Sequence, residues 1–167
     1  MSFVTSCVRP ARVFMSSLLY TIQAYRFSKY CPLSSVNHSD LHWWCHFLPS
    51  YNGVSLIKTS PWLDNRLFLS TDACRTGAGG YFTGQYFHTP FPAPILSQFG
   101  HDINILTIIV ALKLWGELLC SQCLILQCDN ANSVLAINSS HSHVPGMHLS
   151  LQQIWFLTTC HDIDIFA

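Results

Sequence analysis

Apolar and polar positions alternate or cluster along this chain in ways that predict an α/β domain. Residues 67–71 are an apolar-rich run that stops on Asp72, and residues 81–87 (YFTGQYF) are rich in aromatic and β-type residues. Both predict strands. Gly77, Gly79 and Gly80 stand between them and predict a sharp turn, because glycine tolerates positive φ. Residues 103–120 are apolar nearly all round and predict a core helix. Residues 122–128 form a second strand-like run that also stops on an acid, Asp129, and the Asp129-Asn130 pair predicts a helix over 130–137. Amphipathic spacing of Leu151, Ile154, Trp155 and Thr158 predicts a helix over 147–159, and residues 162–166 alternate like the opening of a strand.

Upstream, Val13, Phe14, Leu18, Tyr20, Ile22 and Tyr25 predict a helix over 11–25. A second helix is expected to start at Ser39-Asp40, carry Leu41, Trp43, Trp44, Phe47 and Leu48, and close at Pro49. Tyr51-Asn52-Gly53 reads as a turn, residues 55–57 as a short strand, and residues 89–94 as a proline-rich loop. The division expected is a mostly helical connecting segment over 1–65 and an α/β domain with a mixed sheet over 66–167. That domain breaks off on half a strand, so its C-terminal end is expected to be incomplete.

Composition narrows the class. With 167 residues, 50% of them hydrophobic and 10% charged, the chain can bury a real core and does not read as disordered. Net charge is zero, so the chain as a whole predicts no strong nonspecific grip on nucleic acid. Arg9, Arg12, Arg26 and Lys29 nevertheless supply half of its Lys and Arg and could form a local basic face. No convincing signal peptide opens the chain, and Asn104, Thr107, Lys113 and Glu117 interrupt its most apolar stretch. No membrane partner is expected, and an intracellular setting with reduced thiols fits the eight irregularly spaced cysteines. Cys120, Cys123 and Cys128 have a C-x2-C-x4-C spacing. They flank a predicted buried strand and read as inert core thiols rather than a zinc module. His141, His143 and His148 cluster in a polar stretch without a defined ligand pattern. Trp43, Trp44, Trp62 and Trp155 read as core or interface residues.

Asp72 and Asp129 are the candidate site. In an open α/β sheet, adjacent strand ends bring such side chains together. Two close carboxylates repel unless a cation lies between them, and Mg²⁺, with its preference for oxygen ligands, suits such a pair. Alternatively, Asp72 only begins a turn.

Residues 67–80 (LFLSTDACRTGAGG) and 124–138 (LILQCDNANSVLAIN) resemble the ribonuclease H-like domain of retroelement reverse transcriptases, DIRS-like and gypsy-like ones above all. Residues 40–48 with Asn52-Gly53, residues 8–14, and Ala111-Leu112-Lys113-Leu114-Trp115-Gly116 are similar, in order, to the same family's flanking segments and first helix. The resemblance implies cleavage of the RNA strand of an RNA–DNA hybrid by two metal ions, Mg²⁺ or Mn²⁺. It implies four acids. Asp72 matches the first and Asp129 the third, as catalytic and metal-binding residues. The expected helix Glu is missing: the stretch 102–110 contains none and reads about three residues short, as if Glu-Leu-Leu had been lost. Asp102 would need a register shift, Glu117 lies about three turns away, and the fourth acid has no match. Weak or absent nuclease activity is therefore expected. The alternative expectation is a non-catalytic nucleic-acid-binding or protein-interaction module of the same fold.

Overall fold

In the computed structural model, residues 11–50, 66–99, 103–142 and 144–167 are described. Arg9, the turn at Asn52-Gly53, the short strand at 55–57, Trp62, Asp102 and His143 lie outside them. The chain forms two units, Met1–Pro61 and Trp62–Ala167.

The first unit holds α1 (Ala11–Ala24) and α2 (Ser35–Ser50). α2 starts four residues earlier than Ser39 because Ser34 and Asn37 cap it reciprocally. The Asn37 amide donates to Ser34 Oγ at 3.2 Å, and the Ser34 amide donates to Asn37 Oδ1 at 2.9 Å. Asp40, expected to open the helix, is instead fully buried and accepts a hydrogen bond from Ser17 Oγ. Pro49 lies inside the last turn. Trp43 stacks between Phe14 and Phe47 at centroid distances of 3.9 and 4.6 Å, and Trp44 Nε1 donates to the Phe14 carbonyl at 3.2 Å.

The second unit is an α/β domain with a mixed sheet of β1 (Arg66–Cys74), β2 (Gly77–Phe82), β3 (Gln85–Thr89), β4 (Cys123–Gln127) and β5 (Asp164–Phe166). Their order is β3-β2-β1-β4-β5, with β2 antiparallel to both β1 and β3, β4 parallel to β1 and β5 parallel to β4. The helices are α3 (Ala93–Phe99), α4 (Ile103–Trp115), α5 (Ala131–Ser139) and α6 (Pro145–Cys160). This is the mixed sheet flanked by helices that the sequence predicts, and its strand order is consistent with a ribonuclease H-like fold.

Alternation along β1 sends Leu69 and Thr71 to a face covered by α4, and Phe68, Ser70 and Asp72 to an open face. Leu124, Leu126 and Ile165 extend the buried face of the sheet, and Ile105, Ile108 and Leu112 of α4 are buried with them. α6 packs on α4 and adds Leu151 and Ile154.

The glycine cluster corrects the expected hairpin. Gly77, Gly79 and Gly80 are strand residues of β2, and none has positive φ. The chain turns at Arg75-Thr76 and again at Thr83-Gly84, where φ is 44° and 85°. At Gly80 the reason for glycine is space: a Cβ there would stand 2.4 Å from the Phe87 ring, which fills that position and reaches Trp115. α4 ends at Trp115 rather than running to residue 120, and turns carry the chain to β4. Gly116 follows at once, and a Cβ there would come within 2.8 Å of the His161 ring. α3 occupies a stretch whose first residues read as loop.

Candidate functional site

β1 and β4 are parallel, and their last paired residues are Ser70 and Gln127. Ser70 Oγ donates to Gln127 Oε1 at 2.8 Å, so the two side chains meet on the open face. Asp72 follows two residues after Ser70, within β1, and Asp129 two residues after Gln127, just past the end of β4; both are exposed. On the other side of Asp72 the register runs to Gly79 and then to His88. Gly79 puts no side chain between the acid and the imidazole. A Cβ there would meet only the Phe87 carbonyl, at 3.5 Å. His88, which is exposed, carries no signal in the sequence that would have picked it out among nine histidines.

Cys128 sits between the acids in the chain's path. Its thiol pKa is pushed up, first by burial and further by the charges of Asp129 and Asp72, against an opposing contribution from the Asn130 backbone amide. Thr71, 5% exposed, lies on the covered side of this strand end, and its hydroxyl acts on the Cys128 thiol to oppose the rise in its pKa. Asn130, not Asp129, caps α5, its side chain accepting from the Ser133 amide at 2.9 Å. Asp129 is thereby left free of the capping role that its place before a helix implied.

α4 runs back along the sheet. Its last residue, Trp115, packs on Phe82 and Phe87 at 5.7 and 5.5 Å, beside the Leu69–Phe82 pair. From there the chain returns to the amino end of the sheet, where Cys123 pairs with Arg66. The first turn of α4 therefore points to the opposite end, where the acids are. That turn carries Asn104, whose Oδ1 is buried and has no hydrogen-bond partner. Glu117 lies beyond the end of α4, exposed, at the wrong end of the sheet.

Among the described residues, no group of three His, Cys, Asp or Glu side chains is placed to hold a metal ion. Asp72 and Asp129 offer carboxylate oxygens and two negative charges, the chemistry of one hard cation rather than two. The Cys120, Cys123 and Cys128 trio departs from the buried thiols expected: Cys120 is exposed in the turn after α4, and the other two are half-buried. His148, on α6, has its pKa lowered first by burial and then by the charge of His141. Trp155 is buried, as expected of a core residue. Among the described residues, no helix is long and apolar enough to cross a membrane.

No protein-family model matches this chain, and no curated protein matches it. Among solved structures, it is similar to that of the foamy viral protease-reverse transcriptase dRH in complex with double-stranded DNA, with 12% identity and a TM-score of 0.43. The similarity covers 99% of this chain and 32% of that one, so this chain spans about a third of the length of the protein it resembles.

Proposed function

We propose that this chain is a ribonuclease H-like module of a DIRS-like or gypsy-like retroelement reverse transcriptase, with an RNA–DNA hybrid as its ancestral substrate and with little or no cleavage left. The observation that supports this reading is the parallel β1–β4 pairing, whose last pair, Ser70–Gln127, is followed two residues on by Asp72 in one segment and Asp129 in the other. A shared strand end is where a cation can screen two carboxylates and where a phosphodiester can approach. A single Mg²⁺ or Mn²⁺ is the cofactor this donor set would take, held by Asp72, Asp129 and the amide oxygen of Asn104. Bound there, it would supply charge neutralisation for a phosphate. The amide in place of a carboxylate is the reason little hydrolysis is expected. A second ion would lack the anionic ligands it needs.

The test is an assay of the purified chain on an RNA–DNA hybrid with Mg²⁺ or Mn²⁺. Absent or trace cleavage is expected, together with binding of the ion that weakens in Asp72→Asn. Robust cleavage abolished by Asp72→Asn would overturn the claim of lost activity. Ion binding indifferent to both Asp72→Asn and Asp129→Asn would overturn the site itself.

A second reading, binding without catalysis, is favoured by the neutral Asn104 at the helix position and by the exposure of Arg12, Arg26 and Lys29 in the first unit.

A further inference from the structure

The end of α1 and the turn after it hold an unusual set of side chains outward. Tyr20 is 75% exposed, Phe27 95% and Tyr30 78%. Rings of this size ordinarily bury themselves, since their apolar area is the main gain on folding. The backbone here is tied down. The Tyr25 amide donates to the Thr21 carbonyl at 3.0 Å, the Ser28 amide to the Tyr25 carbonyl at 2.9 Å, and Ser28 Oγ to the Tyr30 carbonyl at 2.7 Å. The rings are thus presented from a hydrogen-bonded turn. A cation accompanies each of the last two: Arg26 lies 5.4 Å from the centroid of Phe27, and Lys29 Nζ lies 5.8 Å from that of Tyr30. Residues 11–39 contain no Asp or Glu, and the next acid, Asp40, is buried against Ser17.

We infer that residues 20–30 form a binding surface for single-stranded nucleic acid, with Phe27 and Tyr30 stacking on bases and Arg26 and Lys29 meeting the flanking phosphates. Flat aromatic faces interleaved with cations are what an unpaired strand requires, because every base offers a π-face and every nucleotide a phosphate. A duplex hides its base faces, so this surface selects single strands over a hybrid. A membrane interface also takes aromatic rings beside cations, but Ile22 is the one large aliphatic side chain of residues 20–30, which leaves little to enter an acyl region. This surface gives the binding reading a substrate class and residues. It uses neither Asp72 nor Asp129, so its fate is independent of the nuclease reading.

The experiment is fluorescence anisotropy of labelled oligo(U) and oligo(dT) titrated with the full chain over a range of salt, beside a hybrid duplex and vesicles of phosphatidylcholine and phosphatidylserine. Single strands are expected to bind more tightly than the hybrid. Phe27→Ala with Tyr30→Ala is expected to weaken binding about tenfold or more, in line with alanine scans of base-stacking residues. Phe27→Trp with Tyr30→Phe should retain affinity. Arg26→Gln with Lys29→Gln should flatten the salt dependence by about 1.4 in log–log slope, ~0.7 per phosphate contact on a single strand. All these side chains are exposed, and circular dichroism of each variant confirms the fold. Equal affinity of the double-alanine variant, an unchanged salt slope in the charge variant, preference for the hybrid, or capture by vesicles in place of oligonucleotide would each overturn the inference.

Discussion

Trp115 fastens α4 to the β2–β3 hairpin, so its removal tests how this fold holds its site. The side chain is 3% exposed, contacts Phe82 and Phe87, and donates from Nε1 to Gln85 Oε1 at 2.9 Å. Burying an aromatic of this size takes roughly 200 Å² out of water, worth ~5 kcal/mol as an upper bound. Measured truncations of buried Trp or Phe to Ala cost about 3–5 kcal/mol. Gln85 is exposed and turns to water when its partner is lost, so the hydrogen bond adds only ~1 kcal/mol. Trp115→Ala is therefore expected to cost about 4 kcal/mol, a large part of a domain's total of ~5–15 kcal/mol. With a urea slope near ~2 kcal/mol/M, the midpoint falls by about 2 M. Trp115→Phe keeps a ring in the same slot and should cost about half as much. Urea unfolding followed by far-ultraviolet circular dichroism reads both, because tryptophan fluorescence is changed by the substitution. A loss under ~1 kcal/mol for Trp115→Ala, or equal losses for Ala and Phe, would refute the claim that this ring carries the helix–hairpin contact.

Three further outcomes are expected. Asn104→Glu adds a third negative charge at the first turn of α4 and should tighten Mn²⁺ binding about tenfold or more by calorimetric titration. No change would show that this turn does not face Asp72 and Asp129. His148 has a folded pKa below its unfolded value near 6.5, so the unfolded chain binds the proton more readily. Its contribution to stability is present above about pH 6.5 and lost as pH falls. Thermal melts should show a steeper acid-side decline in the wild type than in His148→Gln. Cys74 is exposed, and its thiol pKa is lowered by the Thr76 hydroxyl, 3.0 Å away, and by the backbone amides of Thr76 and Gly77. Burial raises that of Cys128 and Cys160. Iodoacetamide at neutral pH should label Cys74 well before the other two, read by peptide mass spectrometry.

Much of the architecture is written locally. An apolar run that ends on an acid marks β1 and again β4, and the continuous apolar stretch that becomes α4 cannot sit anywhere but the core. Strand and helix identities follow from side-chain period and size, which neighbours in the chain determine. Helix starts were less legible. Ser34 and Asn37 cap α2 through a reciprocal pair in which Asn replaces the usual Glu or Gln, while Asp40 resembles a cap and is a buried acceptor for another helix.

What only the tertiary structure decided concerns contacts between distant residues. The glycines at 77, 79 and 80 look like a turn in one dimension. Gly80 is needed because Phe87, from the next strand, fills the space where its Cβ would go. Asp72 and Asp129 lie far apart in the chain, and only the β1–β4 pairing sets the segments that carry them side by side. Asn104 reads as a chance polar residue until α4 is laid antiparallel to β1, which carries its unpartnered amide oxygen to the end of the sheet where the acids stand. Periodicity specifies which face of an element is buried. Which residues of different elements share an end depends on pairing and packing across the whole sheet, and these are set by no single segment.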